Sequence, residues 1–198
     1  MRPFSDLSIS TERLSLRPVS PADAGALFGI YSDPEFMRYW SSEPWTDVER
    51  ANALIEDDRR ALAAGEHLRL GVFLQSDRRL VGTCSLFHLN EQCRRAELGY
   101  GIAREHWRNG YMIEAVGALI TFAFGDLALN RLEADVDPRN IASVRSLEKL
   151  GFRREGLLRE RWIVGPEISD SAIYGLLARE WAAPRPTSGP RPGHSSTT

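Results

Sequence analysis

Between His67 and Val136 the chain switches from strand-like to helix-like patterning and back. Three short runs, HLRLGVFLQ (67–75), RLVGTCSLFHL (79–89) and CRRAELGYGI (93–102), are rich in branched and aromatic residues and are separated by SDRR and NEQ. Runs of that length, punctuated so tightly, predict antiparallel strands joined by short turns. An apolar stretch with few breakers follows, Gly110 to Leu129, long enough for a helix packed along a sheet. RLEADV (Arg131 to Val136) then reads as another strand. A meander feeding a strand, a helix and a strand predicts an α+β fold with that unit at its centre.

The flanks fit the same plan. LSLRPV (Leu14 to Val19) alternates apolar and polar residues, after which Ser20 caps and Pro21 opens a helix. Asp47 to Ala64 carries Val48, Ala51, Leu54, Ile55, Ala61 and Leu62 at helical spacing, with Thr46 as the expected cap. On the other side NIASVRSLEKL (Asn140 to Leu150) puts Ile141, Val144, Leu147 and Leu150 on one helical face, and Gly151 stops it. Two last strands, near Phe152 to Arg159 and Ser171 to Leu177, bring the expected sheet to about seven. From Pro184, PRPTSGPRPGHSSTT has too little apolar surface to order itself, so the reading is one domain over 1–183 and a disordered tail over 184–198.

Composition removes several classes of function. A net charge of -2 gives no general attraction to nucleic acid, and Lys149 is the only lysine, so any anion site is local. No apolar run is long enough to cross a bilayer, and MRPFSDLSISTERL lacks a secretory signal, which makes cytoplasm the expected compartment. His67, His88, His106 and His194 are scattered without zinc-site spacing, and no metal is expected. Cys84 and Cys93 fall in neighbouring expected strands and read as buried, inert thiols.

The stretch ELGYGIAREHWRNGYMIEA (Glu97 to Ala115) has the form of an anion site: a strand, a loop with Gly110, and a helix start. Free N–H groups at that start, backed by the helix dipole, can bind phosphate oxygens without a lysine, and Arg108 adds a charge. Taken alone, Gly110 reads first as a residue that merely opens the helix. No GxxxxGK[ST] motif occurs, and Gly99-Tyr100-Gly101 lacks the third glycine of a dinucleotide loop. This strand, loop and helix resemble motif A of the GNAT N-acetyltransferases, in which a [QR]xxGx[GA] loop cradles the acyl-CoA pyrophosphate. Trp107 to Met112 occupies that window, with Trp107 and Met112 departing from the pattern at its two ends.

A second block, DPRNIASVRSLEKLGFRREGLLRE (Asp137 to Glu160), resembles the N-x-x-S and E-K-x-G-F-x-x-E-G segment of the RimJ/RimL subgroup, which acetylates protein N-terminal amines. TERLSLRP, ELGYGI, GYMIEA and DSAIYGLL extend the resemblance in order from about Thr11 to Trp181. It implies a GNAT-like, mostly antiparallel central sheet flanked by helices, with acyl-CoA between the central strands. The implied acetyl-CoA contacts are Tyr100, Gly101, Ile102, Arg108, Asn109, Gly110, Tyr111, Met112, Ile113, Asn140, Ser143 and Lys149. For Asn140 and Ser143, a capped amphipathic helix is the competing explanation.

The resemblance also implies the chemistry. Glu97 removes the amine proton and Ser143 protonates the leaving thiolate, while a main-chain N–H near Leu98 to Tyr100 polarises the carbonyl if the strand splays there. Without the family, Glu97 would read as a strand glutamate paired with Arg94 or Arg95. An α-amine near pKa 8 is roughly a tenth neutral at pH 7, so a weak base suits it. Tyr39, Trp40 and Trp45, among Glu43, Asp47 and Glu49, are the candidate acceptor patch, or else padding between helices and sheet. Arg145 and Lys149 share a helical face that could meet the 3'-phosphate of CoA. The expected activity is acetyl transfer to a protein or peptide N-terminus, by a monomer or homodimer. The alternatives are a small amine acceptor (aminoglycoside, polyamine or amino acid) and a non-catalytic acyl-CoA-binding module.

Overall fold

Alternation along the strands and helical spacing between them build one eight-stranded sheet in the computed structural model, which describes residues 3–181. The expected tail at 184–198 lies outside the described residues. The strands are β1 (Ile9–Ser10), β2 (Leu14–Arg17), β3 (Leu68–Leu74), β4 (Leu80–Asn90), β5 (Arg95–Ile102), β6 (Arg131–Val136), β7 (Arg153–Val164) and β8 (Glu167–Leu177). Their order is β1-β2-β3-β4-β5-β6-β8-β7, and every neighbouring pair is antiparallel except β5 and β6. The eighth strand, one more than the sequence suggested, is the two-residue β1 at the edge, too short to show alternation.

Even-numbered residues of the central strands form one apolar face. Leu70, Cys84 and Tyr100 stand in register there, as do Leu68, Leu86 and Leu98. Helices α4 (Tyr111–Gly125) and α5 (Ile141–Lys149) cover that face with Ala115, Val116, Leu119, Ile120 and Leu147 in one continuous core. Odd-numbered residues face α1 (Ala24–Tyr31), α2 (Pro34–Met37) and α3 (Glu49–Ala64). Tyr31 of α1 reaches Thr83 of β4 with a hydroxyl-to-hydroxyl distance of 2.9 Å, and Asp58 of α3 accepts from Arg69 of β3 at 2.9 Å.

Local signals explain most boundaries. Ser20 gives its N–H and hydroxyl to the Asp23 carboxylate at 2.9 and 2.7 Å, and Pro21 opens the turn leading into α1. Asn140 caps α5 by accepting the Ser143 N–H at 3.1 Å, and Gly151 takes the left-handed conformation just past its end, with φ 91°. The cap expected from Thr46 is supplied instead by Asp47, whose carboxylate accepts the Glu49 N–H at 2.9 Å. Cys84 is buried, and loss of solvation pushes its thiol up to about 12. Cys93, in contrast to the buried thiol expected, is exposed in the turn before β5.

The last two strands run further than the sequence indicated, as an arm from Arg153 to Leu177 turning near Gly165. Register shifts at Arg154/Gly156 and Leu158/Trp162, with Glu160 at φ 50°, break the alternation of β7, and most of that strand is exposed. Among the described residues no helix is long and apolar enough to cross a membrane.

Candidate active site

The parallel pair β5 and β6 opens into a wedge. Their register runs Arg95↔Arg131, Ala96↔Leu132 and Glu97↔Glu133, and stops there. Beyond that rung β5 stays paired with β4 as far as Ile102, and β6 with β8 as far as Val136. Both strands therefore continue, but away from each other, as the expectation for Leu98 to Tyr100 required. Each leads toward a helix, α4 after β5 and α5 after β6, so two helix N-termini follow the carboxyl ends of the parted strands. In open sheets such a crevice is where ligands bind.

At the start of α4 the loop has turned its carbonyls inward and left its N–H groups free. Trp107 Nε1 donates to the Ile102 carbonyl at 2.6 Å, and Asn109 Nδ2 to the carbonyls of His106 and Trp107, both at 3.2 Å. Arg13 Nη1 donates to the Asn109 carbonyl at 2.9 Å. Arg108 and Gly110 both have positive φ, 64° and 76°. Among the described residues, the main-chain N–H groups from Arg108 to Ile113 have no acceptor, and the first in this helix to find one is that of Glu114, on the Gly110 carbonyl. Several adjacent N–H groups at a helix start, in a loop with left-handed residues, form an anion-binding concavity. These open N–H groups are those of the expected cradle, Arg108 to Ile113. Trp107, one of two residues at odds with the family pattern, closes the loop onto the end of β5. The other, Met112, packs its side chain against the core.

Facing this loop across the wedge, Tyr100 of β5 and Ser143 of α5 meet. Their hydroxyls are 2.8 Å apart, and the Tyr100 hydroxyl also lies 3.3 Å from the Ser143 carbonyl. Burial pushes the Tyr100 phenol up to about 12, outweighing the hydrogen bond to Ser143, so it keeps its proton at neutral pH. Asn140 acts on this pair indirectly, since its cap fixes the first turn of α5. Lys149 is exposed in the last turn of that helix, about 9 Å along the axis from Ser143, and Arg145 is exposed as well.

Glu97 and Glu133 face each other on the last shared rung, in different electrostatic settings. Glu133 accepts from Arg95 at 2.9 Å and from Arg131 at 2.8 Å, and is committed to both. Glu97 contacts neither Arg94 nor Arg95. Its Oε1 lies 2.9 Å from His88 Nδ1, and a quarter of its side chain is exposed. His88 reaches it through a bulge: the β4–β5 register shifts between Phe87 and Asn90, and His88 has φ 51°. On a regular strand an even-numbered residue would point to the opposite face; the extra residue re-aims it. Sequence reasoning passed over His88, because nothing in the run SLFHLN marks a bulge.

The aromatic segment expected to hold the acceptor divides. Trp45 stacks on Tyr31 at 4.5 Å, and Trp40 on Phe36 at 5.3 Å, both within the cluster that joins α1 and α2 to the sheet. Trp40 also lies against β5, where a Cβ on Gly101 would be 2.9 Å from its ring and 2.6 Å from Phe36. Tyr39 sits beneath Arg38 and Arg139, at 5.3 and 5.9 Å. A Cβ on Gly165 would come within 2.8 Å of Glu43. The segment 38–45 therefore reaches from β5 to the turn between β7 and β8, on the face that carries Glu97. Two other clefts, of about 340 and 460 Å3, are lined around Phe73 and Gln75 and around Ile30 and Arg104, and neither includes Glu97 or Ser143. Among the described residues no group of three or more His, Cys, Asp or Glu side chains is placed to hold a metal ion.

The acetyltransferase (GNAT) domain model matches residues 13–153. The chain is a GNAT acetyltransferase. It is similar over 175 residues, at 37% identity, to the uncharacterized N-acetyltransferase p20 of Bacillus licheniformis, with 88% of this chain and 98% of that protein covered. It is 24% identical over 184 residues to the [ribosomal protein uS5]-alanine N-acetyltransferase of Escherichia coli, covering 89% of this chain and 94% of that one. Among solved structures, Mycobacterium smegmatis RimJ in complex with CoA-disulfide has a TM-score of 0.80 at 25% identity, with 91% of each chain covered. The GNAT chain is accordingly an acetyl-CoA-dependent N-acetyltransferase with RimJ/RimL-like relatives.

Proposed function

We propose that this acetyltransferase acts on the α-amine of a peptide or protein N-terminus, with Glu97 as general base and Ser143 as the proton donor to the leaving thiolate. The observation that carries the reading is the last rung of the wedge, where Glu97 is free of arginine while Glu133 is held by two. A carboxylate neutralised by guanidinium groups is a poor proton acceptor, whereas one that faces solvent and an imidazole can take a proton directly or through water. The similarity to a ribosomal-protein alanine acetyltransferase supports the α-amine as acceptor.

Acetyl-CoA supplies the thioester. The loop N–H groups from Arg108 to Ile113 hold its phosphates, with Tyr100, Gly101 and Ile102 along the arm. A main-chain N–H of β5 left without a β6 partner polarises the carbonyl. The amine, with its proton passed to Glu97, attacks the carbonyl carbon. As the carbon–sulfur bond breaks, the thiolate takes the Ser143 proton and the Tyr100 phenol hydrogen-bonded to Ser143 replaces it; solvent then returns a proton to Tyr100 and takes the one on Glu97. An α-amine suits this modest base, since roughly a tenth of it is already neutral at pH 7 against less than a thousandth of a lysine side chain. Trp40 and Tyr39 line the acceptor side.

A panel with thiol-release detection tests the acceptor: peptides with free α-amines, the same peptides Nα-blocked with an internal lysine, spermidine, and an aminoglycoside. Turnover on the free α-amine peptides, lost on blocking, is the expected result. Turnover confined to the small amines would overturn the reading, and acetyl-CoA binding without turnover on any amine would leave only a binding module.

A further inference from the structure

We propose that Thr11 and Arg13, in the turn between β1 and β2, are positioning residues for acyl-CoA that shape the phosphate loop and neutralise Glu114 beside it. The proposal rests on the reading of the α4 start as the acyl-CoA phosphate site. Thr11 and Arg13 are about a hundred residues away in sequence, yet the pair converges on one carboxylate. Thr11 Oγ1 donates to Glu114 Oε1 at 2.6 Å, and the Arg13 main-chain N–H donates to the same oxygen at 2.9 Å. Arg13 Nε donates to Glu114 Oε2 at 2.7 Å, and its Nη2 lies 2.6 Å from that oxygen. The remaining Arg13 nitrogen, Nη1, holds the Asn109 carbonyl, and the guanidinium carbon stands 4.7 Å from the Tyr111 ring centroid.

Two effects follow for an anionic ligand. Glu114 lies in the first turn of α4, where a carboxylate suits the helix dipole but repels a diphosphate bound at the same end. With Arg13 attached, the pair presents no net charge there. Burial alone would raise the Glu114 pKa, but the hydrogen bonds from Thr11 and Arg13 and the Arg13 charge together hold it below the usual carboxylate range. The second effect is geometric. By taking the Asn109 carbonyl, Arg13 turns the acceptor of that peptide unit away and leaves the neighbouring N–H groups as the face the loop offers. The TERL and GYMIEA motifs are thereby two halves of one clamp.

Calorimetry with acetyl-CoA, steady-state kinetics and thermal melts on Arg13→Ala, Arg13→Lys, Glu114→Gln and the double variant Arg13→Ala/Glu114→Gln test the proposal. Arg13→Ala is expected to weaken acetyl-CoA binding at least tenfold, through KM, with kcat within about twofold. The double variant is expected to recover most of the affinity while its melting temperature stays lowered, because the charge conflict is gone but the tie is not restored. Arg13→Lys, which keeps the charge and loses the Asn109 contact, is expected to fall between wild type and Arg13→Ala. Glu114→Gln alone is expected to bind acetyl-CoA as tightly as wild type or more tightly, and it serves if Arg13→Ala does not fold. Wild-type affinity in Arg13→Ala, no recovery in the double variant, or weakened binding in Glu114→Gln would overturn the clamp. A wild-type protein that binds no acetyl-CoA would instead overturn the phosphate-site reading beneath it.

Discussion

On the even-numbered face of β3 to β6, Leu68, Leu70, Leu86, Leu98 and Leu132 are sealed beneath α4 and α5. On the odd-numbered face the same strands carry Arg69, Ser85, Glu97, Gly99, Gly101 and Glu133 toward three helices whose own aromatic cluster only partly covers them. The strand period is the same for both. One face is mostly apolar volume, filled at crystal-like density, with Tyr100 at its edge beside Ser143. The other has Gly101 where Phe36 and Trp40 press on the backbone, and charges whose partners decide what they do. In this GNAT acetyltransferase the packed core lies on one side of the sheet, and the groups proposed for the chemistry lie on the other or beside the gap between β5 and β6.

That division can be broken from either side. Leu119→Ala, in the fully buried centre of α4, is expected to cost about 2–5 kcal/mol in a denaturant melt while the folded fraction keeps its kcat. A lowered kcat per folded molecule would mean that the two faces are not separable. Glu97→Gln should do the reverse, lowering kcat about a hundredfold, or ~2.7 kcal/mol, with an unchanged melt. The loss should be larger at pH 7 than at pH 9, where more of the amine is already neutral. An unchanged pH–rate profile would remove Glu97 as the base.

The odd face also holds a buried polar cluster whose pH response sharpens the contrast. Burial, helped by the Arg69 and His88 charges, lowers the His67 pKa to about 4, and its Nε2 has no hydrogen-bond partner. A histidine depressed in the folded state is protonated first when unfolded, so its stabilising contribution is present above about pH 6.5 and is lost as pH falls toward 4. Nearby Asp58 opposes it: burial raises that carboxyl to about 6 despite Arg69, so its protonated form gains stability over the same descent. His67→Phe is expected to raise stability relative to wild type by on the order of 2 kcal/mol at pH 5 and by almost nothing at pH 8. Equal melting shifts at both values would show that His67 is not titrating in this range. The smallest effect is expected for Tyr100→Phe, a severalfold drop in kcat with little change in the acetyl-CoA KM, since solvent can still reprotonate Ser143. A change in KM alone would make Tyr100 a binding contact only.

Much of this was legible in the sequence wherever the signal is local. The Asn140 cap, the Gly151 stop, the strand meander and the loop at Gly110 each depend on residues within a few positions, and backbone sterics or N–H satisfaction demand particular residue types there. The misses share an opposite cause. By sequence Thr46 reads as the cap that Asp47 supplies, because both residue types can accept the N–H and only the folded position decides. The arm of β7 and β8 ran longer because its exposed, bulged strand has no clean period to read. His88 and Arg13 carry no local signal, because their partners come from a bulge and from a contact across about a hundred residues.

By itself the sequence determined the order of the elements, the apolar face of the sheet and the family, since these rest on periodicity and on residue types at fixed spacing. The tertiary structure decided which charges are committed and which are free. Glu97 and Glu133 are both glutamates on neighbouring strands, and only the arginines folded against one of them distinguish the two. It also decided that the N–H groups at Arg108 to Ile113 have no acceptor among the described residues. Hydrogen bonds and ion pairs act over a few ångströms in space, whatever the separation along the chain.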